Sequence, residues 1–326
     1  MKMKRKGNSL LLLGLVVTGT TAFAQGPPQI IWEMEAAATN LTFSADGETM
    51  YTGGLVSAPP YSDGNIEVWD VPSRTEVYTL TSTGSGTIGL TNALAATPDG
   101  TAFASGHGSL RCPPQGACEE VAIGFHVWNA ASGTPQFSLE AGDIDGLVES
   151  VAFSRDGEFV AFGMSRSSQE EIRVYNYPEY TLQGAYDGHG GGTHCADFSP
   201  TSNLLATGGS DGTVRLWNVE TNQLVRTLAH GSYTDGGDPV SVVFSPDGSR
   251  LAVSGRGYNL KATVWDVSTG ALVYSLPADS GTFGTSRATV AFAPNGRYLV
   301  AGVMRYISPE WGGVIQIWDL DDGSLV

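Results

Sequence analysis

The sequence predicts an all-β chain in which four-stranded antiparallel units repeat around a single ring, and three observations predict it. Short runs of period-two alternation are separated by turn residues, as in residues 189–218 (HGGGTHCADFSPTSNLLATGGSDGTVRLWN), where turns at 200–203 and 210–212 divide three strands. An Asp-Gly or Asn-Gly turn follows an apolar strand at Asp46, Asp99, Asp156, Asp247 and Asn295, and residues 201–203 fill the same place in the stretch just quoted. An aromatic followed by Asp or Asn closes each unit, at Trp69, Trp128, Tyr175, Trp217, Trp265 and Trp318. These aromatics stand roughly 40 to 60 residues apart, the period of a four-stranded propeller blade. The prediction is one six-bladed β-propeller over residues 25–326, or a seven-bladed one if the chain is truncated.

Residues 1–24 read as a secretory signal peptide. Lys2, Lys4, Arg5 and Lys6 precede an apolar run over residues 10–17, and Ala22 and Ala24 precede Gln25. The run is too short to span a bilayer, so a secreted or periplasmic protein with no membrane span after cleavage is expected. The net charge of -16 becomes more negative once those four cations leave. So acidic a surface repels phosphate backbones and argues against nucleic acid.

Taken in order, residues 29–36 (QIIWEMEA) match the outer strand written later as EVYTL, TPQFSLE, QLVRTL and ALVYSL, so Trp32 is an outer-strand residue rather than a seventh closing Trp. Turns between first and second strands, and between third and fourth, are short throughout. Insertions fall between second and third strands, at residues 55–63, 106–122, 165–171, 256–261 and 304–313. Consecutive strands of a meander reverse direction, so these insertions emerge on one face with the blade-to-blade loops. Tyr61, Tyr258, Tyr306 and Trp311 fall in the insertions, and Tyr233, Asp235 and Asp238 in a blade-to-blade loop with Asp143 and Asp145 in another. Varied loops carrying aromatics on a rigid scaffold are a recognition surface.

Cys112 and Cys118 bracket PPQGA in the largest insertion. In an oxidising compartment a disulfide there contributes about 2 to 3 kcal/mol. Metal binding by both thiolates with His107 is the weaker alternative, because no fourth ligand follows at metal spacing; no metal site and no cofactor is expected. Cys195, on an alternating first strand, reads as a buried structural thiol.

The Gly188-His189 pair and the Trp217-Asn218 closure, with the looser copies around them, resemble the WD40 repeat family, here as a secreted, bacterial-type member. The resemblance implies a ring closed by N- and C-terminal strands sharing one blade. It also implies a buried structural network of His189, Thr207, Asp211 and Trp217 rather than a catalytic group. His230, Ser254 and Trp265 repeat that pattern in part, and the other units, lacking the His, are expected to rest on apolar packing. The function expected is a noncatalytic scaffold for a protein partner on the loop-rich face. The alternative is a propeller that binds or hydrolyses a small molecule or carbohydrate in its central funnel, with Asp143, Asp145, Asp235 and Asp238 as polar groups. No nucleophile elbow, phosphate loop, zinc helix or calcium loop is present in the sequence.

Overall fold

The computed structural model describes residues 38–55, 64–81, 90–111, 119–165, 171–231, 237–257, 261–277, 286–307 and 310–326. The expected signal peptide and the expected closing strand around Trp32 lie outside the described residues.

Every named element is a β-strand. Blade one is β1 (Ala38–Phe43), β2 (Thr49–Leu55), β3 (Gly64–Asp70) and β4 (Thr75–Thr81); blade two is β5 (Thr91–Ala96), β6 (Ala102–Arg111), β7 (Glu119–Asn129) and β8 (Pro135–Glu140). Blade three is β9 (Leu147–Phe153), β10 (Phe159–Ser165), β11 (Ile172–Asn176) and β12 (Leu182–Tyr186). Blade four is β13 (Thr193–Phe198), β14 (Leu204–Gly209), β15 (Thr213–Asn218) and β16 (Gln223–Ala229). Blade five is β17 (Asp238–Phe244), β18 (Arg250–Gly257), β19 (Lys261–Asp266) and β20 (Leu272–Pro277). Blade six is β21 (Ser286–Phe292), β22 (Tyr298–Ile307), β23 (Glu310–Asp319) and β24 (Ser324–Leu325). Each is an antiparallel meander in chain order, so the fold is a six-bladed β-propeller.

Two side-chain devices explain why the turns recur. In the first-to-second turns Ser44, Ser154 and Ser245 each donate a hydroxyl to Asp46, Asp156 and Asp247 at 2.6 Å, and the same carboxylate oxygen accepts a backbone N–H two residues on. The glycine that follows holds a positive φ, 74° at Gly157 and 71° at Gly248, where a side chain would be strained. In the third-to-fourth turns, the Asp or Asn after the closing aromatic does comparable work. Asp70, Asn129, Asn218 and Asp266 each accept a backbone N–H three residues on. The polar residue of each closing pair therefore shapes the outer turn while the aromatic enters the core.

First strands stand beside first strands, β1 against β5 and so on through β21, and form the inner wall. Fourth strands lie outermost, and Val77, Leu224 and Val273 on them are exposed. The core is distributed between the blades. Phe125 of blade two stacks on Phe162 of blade three at 4.5 Å, Tyr51 meets Phe103 at 4.5 Å, and Tyr186 stacks on Trp217 at 4.7 Å. Such ring pairs add about 0.5 to 1.5 kcal/mol each beyond the area they bury.

Two of the expected insertion loops are largely strand. The β6 and β7 ladder continues to Arg111 opposite Glu119, and that of β22 and β23 to Ile307 opposite Glu310. Their composition, with several glycines and charged residues, does not announce a strand; pairing with the partner strand is what keeps them in the hairpin. Blades five and six are not separate sheets. Arg256 and Gly257 at the end of β18 pair with Arg287 and Ser286 of β21, which joins both blades into eight strands.

Candidate functional site

Two histidines of blade four, five residues apart, build two different networks. The first runs through the blade. Trp217 Nε1–H donates to Thr207 Oγ1 (3.0 Å), the Thr207 hydroxyl lies 3.0 Å from His189 Nε2, and His189 Nδ1 lies 2.9 Å from Asp211. Burial works to raise the Asp211 carboxyl, but the His189 and Thr213 hydrogen bonds outweigh it and bring it down to about 2. Thr207 is fully buried, so this chain of bonds ends inside the protein.

Other blades solve the same problem, a buried indole N–H needing a partner, with different residues. In blade two Trp128 donates to Ser105 (2.7 Å), which bonds to His107 Nε2 (2.7 Å). The expectation that this unit lacks a histidine is therefore corrected: its histidine comes from the second strand, where the repeat pattern does not place one. In blade five the relay is Thr263, which bonds to both Trp265 (2.9 Å) and His230 (2.8 Å). Ser254, the expected member, donates to the Ala288 carbonyl at 2.9 Å instead. In blade one Trp69 donates to Thr52 (3.3 Å) and Thr52 to Glu67 (3.4 Å).

The second network lies at the end of the inner wall from which the insertions emerge. Glu149 sits near the start of β9 and His194 near the start of β13, each four residues before the phenylalanine that ends its strand. Ser165, Ser210 and Arg256 stand nine residues after Asp156, Thr201 and Asp247, at equivalent places beyond or at the ends of β10, β14 and β18. Equivalent positions on successive blades form a ring around the axis, so the repeat itself brings these five residues together.

His194 is the hub. Its Nδ1 is hydrogen bonded to the Glu149 carboxylate, and its Nε2 lies 2.6 Å from Ser210 Oγ and 3.2 Å from Arg256 Nη2. A guanidinium can only donate, so Nε2 is an acceptor and the ring proton is on Nδ1, directed at Glu149. Ser165 donates to the other Glu149 oxygen. Burial raises the Glu149 carboxyl, yet the hydrogen bonds from His194 and Ser165 and the nearby Arg256 charge hold it below its ordinary range. Asp238, 3.9 Å from Arg256 Nε, holds the guanidinium loosely from the other side. Gly237 lets the chain pass: its φ is 87°, and a Cβ there would meet the Arg256 carbonyl at 2.7 Å. One step down the inner wall, Asp197 accepts the Phe244 N–H of the next blade at 2.7 Å, and burial pushes its carboxyl up to about 7.

Of the expected recognition residues, Tyr61, Tyr233, Asp235 and Tyr258 lie outside the described residues, as do Cys112 and Cys118. Tyr306 and Trp311 are opposite each other in the β22 and β23 ladder. Asp143 and Asp145 are exposed between β8 and β9; Asp143 accepts the Glu140 N–H, and Arg173 of blade three donates to its carbonyl at 2.9 Å. Asp238 is two blades away from them, on Arg256. Cys195 is buried with Sγ 3.8 Å from the Gly208 carbonyl. Among the described residues no group of three or more His, Cys, Asp or Glu could hold a metal ion. Sequence reasoning missed the Glu149, His194, Ser210 and Arg256 set. The signal was there in the repeat, as polar residues at matching positions of neighbouring units.

Comparison with known proteins bears on the blades that carry this site. Residues 180–218 and 222–266 match the family model described as WD domain, G-beta repeat. These two segments are similar to WD40 repeats. They cover blade four with the end of blade three, and much of blade five. The chain is 32% identical over 136 residues to apoptotic protease-activating factor 1 of Homo sapiens, covering 40% of this chain and 10% of that protein. It is 36% identical over 101 residues to eukaryotic translation initiation factor 3 subunit I of Aspergillus fumigatus, covering 31% of this chain and 27% of that protein, and 34% identical over the same length to that of Neurospora crassa. The chain thus spans between about a tenth and a quarter of the length of these relatives.

Proposed function

We propose that the chain is an extracytoplasmic, noncatalytic protein-binding scaffold, a secreted, bacterial-type WD40-repeat protein whose partner docks on the face bearing the long hairpins. The observation that carries this reading is the asymmetry of the ring. Turns on one face are closed by their own Ser, Asp and Asn side chains, whereas β6 with β7 and β22 with β23 run on past the blade at the other. WD40 repeats generally serve as binding scaffolds, and one relative is named as a subunit of a larger factor. The basic, apolar start of residues 1–24 supports export. The test is capture from envelope and secreted extracts by the mature chain and by a Tyr306→Ala, Trp311→Ala variant. A partner held by the first and lost by the second supports the reading; equal capture by both removes these hairpin residues from it.

A second reading, a small ligand bound or hydrolysed at the inner mouth of the ring, is favoured by the Glu149, His194, Ser210 and Arg256 cluster. Its groups converge from three blades onto one point, whereas Asp143 makes its described contacts elsewhere.

A further inference from the structure

The two histidine networks of blade four share their chemical parts, a carboxylate, an imidazole and a hydroxyl, and differ in where the hydroxyl ends. Thr207 is fully buried and occupied by Trp217, so no external molecule can reach it. Ser210 is half-buried on the turn after β14, and the exposed Gly191 lies against it: a Cβ there would come within 3.2 Å of the Ser210 Cβ and 3.7 Å of its Oγ. Backbone without a side chain therefore borders the hydroxyl at Gly191.

Ser210 Oγ is also at the right end of the relay. Glu149 fixes the His194 proton on Nδ1, which leaves the Nε2 lone pair 2.6 Å from Oγ to receive the serine proton. Arg256 brings a cationic donor to the same atom. Its backbone is held on both sides, by Asp238 of β17 and by Arg287 of β21, while its side chain remains part-exposed.

From this geometry we infer that Ser210, His194 and Glu149 are a nucleophile, general base and orienting carboxylate that hydrolyse a short-chain carboxylic ester, with Arg256 as donor to the oxyanion. The inference rests on the second reading; it replaces the noncatalytic part of the scaffold reading and leaves partner docking on the hairpin face untouched. Ser210 Oγ bonds to the acyl carbon as its proton passes to His194 Nε2, and the resulting imidazolium is stabilised by Glu149. Once Nε2 carries that proton it no longer accepts from Arg256, and the guanidinium turns to the negative oxygen. The bond from the acyl carbon to the alcohol oxygen then breaks, and the alkoxide takes the proton from Nε2. Water attacks the acyl-serine with its proton going to Nε2, and collapse returns that proton to Ser210 and releases the acid. One ester and one water give one acid and one alcohol, with no other reactant. A short acyl chain is specified because glycine backbone and a guanidinium border the hydroxyl.

The test uses the full mature chain with a fluorophosphonate probe, peptide mapping of the adduct, and turnover of p-nitrophenyl acetate. Expected are an adduct on Ser210, loss of labelling in Ser210→Ala, and labelling slowed about 100-fold or more in His194→Gln and Glu149→Gln. Thermal melts establish that each variant is folded, and heat-denatured wild-type chain supplies the background independently of any variant. Folded wild-type protein labelled no faster than the denatured chain overturns the inference. So does an adduct on another residue, or a folded His194→Gln variant labelled as fast as wild type. Ser210→Ala retains partner capture if the scaffold reading holds, so failure of one reading is separable from failure of the other.

Discussion

His189 and Asp211 bear on stability rather than on chemistry, since their network is closed by a buried threonine and an indole. Changing either to Ala is expected to lower unfolding free energy in urea by about 1 to 3 kcal/mol and to leave partner capture by the folded fraction unchanged. Asp211, held down at about 2, contributes stability that is present above the ordinary carboxylate range and is lost as pH falls from about 4 toward 2. Asp197 behaves in the opposite sense. Its carboxyl is pushed up to about 7, so the folded state prefers it protonated, and stability declines as pH rises from about 4 to about 7. Asp197→Asn keeps an oxygen for the Phe244 N–H and removes the charge; its melting temperature should exceed that of wild type by a margin that widens between pH 4 and pH 8. The His189 network is legible in the sequence because its four members occupy fixed places in one repeat. The His194 network leaves only a faint trace there, polar residues at matching positions, because its members come from three repeats and become neighbours only when the ring stacks equivalent positions.

At the scale of the element, the closing aromatics, the Asp-Gly turns and the outer strands could all be read directly, because each follows from a local residue pattern. The ends of the long hairpins could not. Residues 106–122 and 304–313 look like loops when scanned for glycine and proline, yet the described register runs on to Arg111 opposite Glu119 and to Ile307 opposite Glu310, since pairing depends on the partner strand as much as on composition. The bridge expected from the sequence between Cys112 and Cys118 falls outside the described residues and is a proposal that depends on export to an oxidising compartment. The exported protein should accordingly weigh about 2 Da less than its reduced form, and intact-mass measurement with thiol labelling checks it. Finding both thiols free in exported protein would remove the bridge.

For the whole molecule, stability resides in the interfaces between blades, because each shares its aromatic and aliphatic core with its neighbour. Blades five and six add strand pairing to that packing. In native-state hydrogen exchange, amides of β18 and β21 near Arg256 and Arg287 should open together and later than amides at the mouth of blades one to three. Six blades were predictable because the repeats count themselves; the junction of two blades was not, since it depends on where two strand ends happen to meet. Among the described residues, the seam between blades five and six is stitched by backbone hydrogen bonds while the other seams rest on side-chain packing, so Arg256 is carried on the part of the hoop least ready to part.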